Sequence, residues 1–260
     1  MSLRRRQTLL FLLALGLSGG VLAGCGSSAG SSVPPPKAGV GTPMDSAVPQ
    51  RILDLPFTDS TGHRVRLSDL AGKTVVISDS MTLCQEACPV DTATLLQTAR
   101  ALEAASPSAT RDVVFLTITV DPQRDKPAQL AAYRRQYAGT GLPQWRLLTG
   151  RPADVHALWK YLGVFWKKTP EDDGVVRNWR TGKKLTYDVA HSDEVFFLDT
   201  RQRERFILDG IPSLAGDDDV PKRIRAFMSA EGHHNEHKTD GWTSADAMTV
   251  LSWLLQQRLA

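Results

Sequence analysis

Two cysteines four residues apart, in Cys84-Gln-Glu-Ala-Cys88-Pro89, are the part of this sequence best equipped for chemistry. Thiols at this spacing can hold one soft metal ion from the same side, or close into a disulfide if the loop adjusts. A short apolar run, Thr74 to Ile77, precedes them and reads as a buried strand that breaks at Ser78-Asp79-Ser80. A helical pattern begins at Pro89 and sets Leu95, Leu96, Ala99 and Leu102 on one face. Proline suits the first turn of a helix, where its missing N–H costs nothing. Cys88 is therefore expected at or just before the helix N-cap, with Cys84 on the loop leading in. Unpaired N–H groups and the helix dipole favour anions there, which predicts thiols that ionise more readily than a free cysteine.

Two sulfurs leave a soft ion short of donors, so a histidine is the natural third. The sequence offers six. His63 falls at an expected hairpin tip and His156 inside an expected helix. His233, His234 and His237 lie in a polar stretch without apolar period, which reads as a solvated loop, with an accessory metal site as the alternative. His191 differs, because it ends one strand and precedes Ser192-Asp193, a turn before the strand Val195 to Leu198. Such a loop can pass near the thiols in a suitable sheet.

The elements that must position these residues can be followed along the chain. Arg51 to Leu67 reads as a hairpin turning at Ser60-Thr61-Gly62. After the thiol loop and its helix, Val113 to Val120 is a β-branched run fit for a second central strand. Asp121-Pro122 ends it, and Lys126-Pro127 opens a helix through Tyr137. Trp145 to Thr149 is a short strand and Asp154 to Tyr161 a helix. Leu185 to His191 and Glu194 to Leu198 read as paired strands, with Glu204 to Leu208 continuing the sheet. Pro212 to Gly241 is polar and less regular. Ser244 to Leu259 closes the chain as an amphipathic helix with Ser244 as its N-cap. This order predicts an α/β domain over residues 50–260, with a central mixed sheet flanked by helices, in a thioredoxin-like arrangement with an N-terminal hairpin.

The chain has 260 residues, of which 42% are hydrophobic and 23% charged, enough apolar material for one sizeable core. Arg4-Arg5-Arg6 and the greasy stretch Leu9 to Leu17 have the form of a secretory signal over residues 1–24. Leu22-Ala23-Gly24-Cys25 looks like a bacterial lipobox, which makes Cys25 the expected lipidated residue. Gly26 to Pro49, rich in Gly, Ser and Pro, reads as a flexible tether, so residues 25–49 form the expected anchor and linker. Loss of the signal would remove three arginines and leave 28 basic and 28 acidic residues, a balance that argues against a nucleic-acid partner. With Cys25 assigned to lipid, Cys84 and Cys88 are the remaining thiols of the three cysteines.

A resemblance then becomes specific. The cysteine motif, followed by Asp121-Pro-Gln-Arg-Asp125-Lys-Pro, Trp145-Arg-Leu-Leu-Thr-Gly150 and His191-Ser-Asp-Glu-Val-Phe-Phe-Leu-Asp199, resembles the successive signatures of the Sco/SenC family. The likeness covers roughly residues 50–210 and the closing helix. It implies a copper-binding, thioredoxin-fold protein tethered at the extracytoplasmic face of a bacterial membrane, with Cys84, Cys88 and His191 as ligands of Cu(I) or Cu(II). It implies as partners the copper-bearing subunit of cytochrome c oxidase, whose binuclear copper centre such proteins help to assemble, and possible exchange with other copper chaperones or thiol reductants. The chain departs from the family's common pattern before the first cysteine, where Ser78-Asp-Ser-Met-Thr replaces an aromatic-rich lead. Gln85-Glu-Ala also replaces the common Pro-Asp-Val between the cysteines. Glu86 keeps an acid there and is a candidate to support the ligands from behind; Asp121 and Asp125 are candidates to hydrogen-bond near the site or orient His191, and read otherwise as a strand end and a helix cap. A thiol–disulfide oxidoreductase, with Cys84 and Cys88 as its redox pair and Cys84 attacking first, is the alternative function.

Overall fold

The computed structural model describes residues 32–137, 141–171, 175–214 and 220–259. Cys25 and the expected signal segment lie outside the described residues. The strands are β1 (Thr42–Ala47), β2 (Phe57–Asp59), β3 (Arg64–Val65), β4 (Thr74–Ser80), β5 (Val113–Thr119), β6 (Trp145–Gly150), β7 (Trp166–Pro170), β8 (Tyr187–His191), β9 (Glu194–Leu198) and β10 (Arg203–Asp209). The helices are α1 (Gln50–Leu53), α2 (Cys88–Ala105), α3 (Pro127–Gln136), α4 (Pro152–Leu162), α5 (Lys222–Arg225), α6 (Ala230–Glu236) and α7 (Ser244–Leu255). No described helix is long and apolar enough to cross a membrane.

Eight strands form one mixed sheet in the order β1-β10-β9-β4-β5-β6-β2-β3. β4 sits between parallel β5 and antiparallel β9, and all seven of its residues are buried. Alternation of side chains across the pleat divides the interior into two cores. Phe115 and Phe197 face α2 and α7 on one side, with Leu96 and Leu251; Leu116 and Phe196 face the other, with Ile77 and Trp159 of α4. Each such buried side chain stabilises the fold by about 1.5–3 kcal/mol. This is the thioredoxin-like α/β architecture expected.

Several local readings are corrected. β4 does not break at Ser78 but continues through Ser80, because the ladder to β5 runs on to Ser80, that to β9 reaches Ser78, and two of its polar side chains find partners: Ser78 donates to Thr117 Oγ1 at 3.2 Å, and Asp79 is held as described below. β8 pairs with β7 in a separate two-stranded sheet, not with β9, since both edges of β9 are already taken by β4 and β10. Thr42–Ala47, part of the compositional linker, pairs with β10 as an edge strand. Gly41 allows that approach, since a Cβ there would lie 2.4 Å from the Ile207 carbonyl oxygen, and Arg203 clasps Asp45 at 2.7 Å. The N-cap of α7 is Thr243, whose hydroxyl accepts from the Asp246 N–H in a capping box.

Candidate metal centre

The end of β4 delivers the chain to a tight loop, and Cys88 opens α2 with Pro89 in its first turn. The Cys84 Sγ accepts the backbone N–H groups of Glu86 at 3.5 Å and Cys88 at 3.4 Å. The loop is held from two sides. Asp125, fully buried, accepts from the Thr82 N–H at 3.0 Å, the Thr82 hydroxyl at 2.5 Å and the Thr119 hydroxyl at 2.7 Å. Asp125 therefore fixes the approach to Cys84 and does not cap α3, which has no capping side chain. On the far side, Trp179 Nε1 donates to the Thr82 carbonyl at 2.7 Å, and the Ser229 N–H donates to the Gln85 carbonyl at 2.9 Å.

His191 arrives on the β7–β8 hairpin, 103 positions beyond Cys88, and its Nε2 lies 3.2 Å from the Cys88 Sγ. Ser192 fastens the hairpin's return: its N–H donates to the Phe165 carbonyl at 3.1 Å, and its hydroxyl accepts from the Phe165 N–H at 2.9 Å. The ring's Nδ1 is 2.6 Å from Asp79 Oδ2 and 2.8 Å from the Ser192 carbonyl oxygen. Two acceptors at Nδ1 place a proton there and turn Nε2 toward the sulfurs. Asp79 is itself held, its Oδ1 accepting the Glu194 N–H at 3.0 Å. One ligand atom from each of Cys84, Cys88 and His191 lies within 4.8 Å of the others. Asp79, His191 and Asp193 satisfy the same distance criterion, but there Asp79 uses the Nδ1 face and so serves as the orienting partner.

The thiols do not behave as their position at a helix start suggested. Cys88 is fully buried and Cys84 is 8% exposed. Hydrogen bonding to Cys88, then burial, push the Cys84 thiol well up, and burial raises Cys88. At Cys88 desolvation outweighs the helix dipole, because a buried thiolate loses more hydration than the few N–H groups return; at Cys84 the neighbouring sulfur acts ahead of burial in the same direction. Burial alone would lower His191, yet the Asp79 carboxylate and the Cys84 sulfur hold it well above the usual range. Carboxyls crowd behind the ring: burial raises Asp193 to about 6, and Asp91 is pushed well up by burial and then by Asp193.

Not every residue singled out in the sequence reaches the site. Asp121 pairs with Arg124 and accepts from the Tyr187 hydroxyl at 3.0 Å. It anchors the β7–β8 hairpin and does not touch His191. Glu86 stands exposed at the lip of a cavity of about 240 Å³ that reaches Cys84 and His191; burial, then Asp188 and Glu231, push its carboxyl up. His63 is exposed in the β2–β3 hairpin, and His156 stacks on Trp166 with ring centroids 3.8 Å apart. His233 and His234 belong to a helix, α6, where the composition suggested a loop. Asp79 was missed, although a lone carboxylate in a buried strand is itself a signal, since such a charge requires a partner.

The donor set fits a soft ion. Two sulfurs select Cu(I) or Zn(II), and a neutral imidazole accepts copper in either oxidation state. Three convergent donors leave an open position toward the cavity, as a site that exchanges its ion requires.

Comparison with known proteins agrees with the geometry. The SCO1/SenC family model matches residues 50–229. "Protein SCO1 homolog 1, mitochondrial" of Arabidopsis thaliana is 30% identical over 43% of this chain and 31% of its own length. A Stutzerimonas stutzeri protein named for copper binding is 30% identical over 58% of this chain and 63% of its own length. The chain thus spans less than two thirds of either relative. A crystal structure of a SCO1/SenC family lipoprotein from Bacillus anthracis superposes with a TM-score of 0.51 at 24% identity, covering 72% of this chain and 97% of that one, a likeness of fold.

Proposed function

The chain belongs to the SCO1/SenC family, and from that premise we propose that it carries copper outside the cytoplasmic membrane and delivers it to the copper-bearing subunit of cytochrome c oxidase. Cys84, Cys88 and His191 hold one copper ion. The observation that carries this reading is the meeting of two sulfurs and an imidazole within 4.8 Å, with the ring fixed by Asp79. The relative named for copper binding supports the choice of metal. Thiolates favour Cu(I), and the His191 nitrogen serves either oxidation state.

Release proceeds from the accessible side. Cys84 is the less buried of the two thiols and borders the cavity, so an incoming donor would displace it first, while Cys88 and His191 retain the ion. Phe165, 57% exposed and hydrogen-bonded through its backbone to Ser192, the residue after His191, offers an apolar contact for a partner. Cys25, carrying lipid, tethers the domain at the membrane through the linker. Detergent partitioning tests the tether: wild type enters the detergent phase, and Cys25→Ser remains aqueous.

The test of the site is an anaerobic titration with Cu(I) against a competing chelator. Wild type takes up one equivalent, and His191→Ala binds about 10–100-fold more weakly or loses it. Wild-type affinity and stoichiometry in His191→Ala overturn the assignment. The proximity of two reduced thiols of unequal exposure favours a second reading, thiol–disulfide exchange initiated at Cys84. Under that reading His191→Ala keeps its ability to reduce an oxidised dicysteine peptide; no acceleration over free dithiol by wild type removes it.

A further inference from the structure

Outside the thiolate site, the chain gathers imidazole in one other place, on α6, and it does so against the thiol loop. The Gln85 carbonyl oxygen accepts the Ser229 N–H at 2.9 Å, and a Cβ on Gly232 would lie 2.2 Å from the same oxygen. The residue after Gly232 is His233. Its Nδ1 lies 3.1 Å from Glu236 Oε2, and the other oxygen of Glu236 is held by Arg225 Nε at 2.7 Å. The Glu236 side chain is 6% exposed, while that of His233 is 48% exposed.

Glu236, held on one side by Arg225, meets the Nδ1 edge of His233 on the other and so turns the ring's Nε2 outward. This repeats the chemistry of Asp79 behind His191, a carboxylate fixing the tautomer that a metal needs. His237 follows four positions later as the C-cap residue, with φ −105° and ψ 10°, so the backbone has barely left the helical path. Residues four apart lie on one helix face, and two histidines at that spacing can share one ion. His233 and His237 are both exposed.

We propose that His233 and His237 form a second metal site, distinct from the thiolate centre, that takes divalent copper with water completing the coordination. Two imidazoles and water are borderline donors, and among divalent first-row ions copper binds such a set most strongly. His234 is one position from His233 and so falls off the shared face. The site sits on the helix that braces Gln85, which places exposed nitrogen ligands on a neighbour of the thiol loop.

Cu(II) titration followed by electron paramagnetic resonance tests this in the full chain carrying Cys25→Ser, Cys84→Ser and Cys88→Ser, substitutions that leave no thiol to reduce the ion. That background is expected to bind one equivalent that His233→Ala with His237→Ala removes or weakens at least about tenfold, while His234→Ala keeps it. Because the thiolate site is absent from these samples, the outcome is independent of how that site binds. The same comparison in oxidised wild type, with Cys84 and Cys88 bridged, repeats the reading without serine substitutions. Equal Cu(II) uptake with and without His233 and His237, in both backgrounds, overturns the proposal.

Discussion

Asp79 Oδ2 lies 2.6 Å from His191 Nδ1, across 112 positions of sequence, and this contact fixes the buried ring at the end of β8 with its Nε2 toward Cys88. It exists because β9 pairs with β4, which brings the start of β9 to the end of the strand that feeds the thiol loop. The carboxylate is held in turn by the Glu194 N–H. One strand therefore sets both the thiols and the imidazole's orientation.

Asp79→Ala is expected to weaken copper binding by about 10–100-fold although all three ligands remain. The free thiol count should stay at two per mature domain when Cys25 is lipidated. Competition titration checks this; an affinity equal to wild type would mean that Ser192 alone orients the ring.

Gly232→Ala sets two effects against each other. Alanine favours a helix over glycine by roughly 0.5–1 kcal/mol. The added carbon, however, meets the Gln85 carbonyl oxygen at 2.2 Å, a backbone atom that cannot rotate away. Overpacking of this kind costs about 1–3 kcal/mol, so the variant should be less stable. Urea unfolding measures it, and an unchanged or raised midpoint would show that α6 does not brace the loop as described.

Asp125 gives stability a pH dependence with a definite sign. Burial pushes its carboxyl up to about 6, against about 3.9 for a free aspartate. Between those values the native state keeps a proton that the unfolded chain has lost, so this residue's contribution falls as pH rises through the window and then levels off. The size is on the order of 2–3 kcal/mol. Asparagine can offer its oxygen to the Thr82 N–H and its amide to the Thr82 hydroxyl. Asp125→Asn should therefore flatten the slope between about pH 4 and pH 6 in denaturant unfolding. A slope as steep as that of wild type would assign the pH dependence to other groups.

Much of this was legible in the sequence where the signal is local. The β-branched run at Val113 and the thiols ahead of Pro89 each state their own element, and His191 stood out by its place between two strands. What escaped depended on distant partners. Nothing near Tyr187–His191 says that β9 has no free edge, so the hairpin was assigned to the wrong neighbour. Thr42–Ala47 becomes a strand only because β10 offers it an edge, which a Gly, Ser and Pro composition cannot reveal. The thiols were expected to be acidic from helix position alone, whereas the bond to Cys88 and then burial at Cys84, and burial at Cys88, set the opposite direction. Of the two readings open for Asp125, a cap beside Lys126 or a hydrogen bond near the site, its bonds to Thr82 match the second.

X-ray absorption at the copper edge, on protein loaded anaerobically with one equivalent of Cu(I), addresses the coordination most directly. Two sulfur scatterers and one imidazole are expected in wild type, with the imidazole signal lost in His191→Ala. A spectrum with sulfur alone, or an imidazole signal that survives His191→Ala unchanged, would contradict the convergence of these three side chains on one ion.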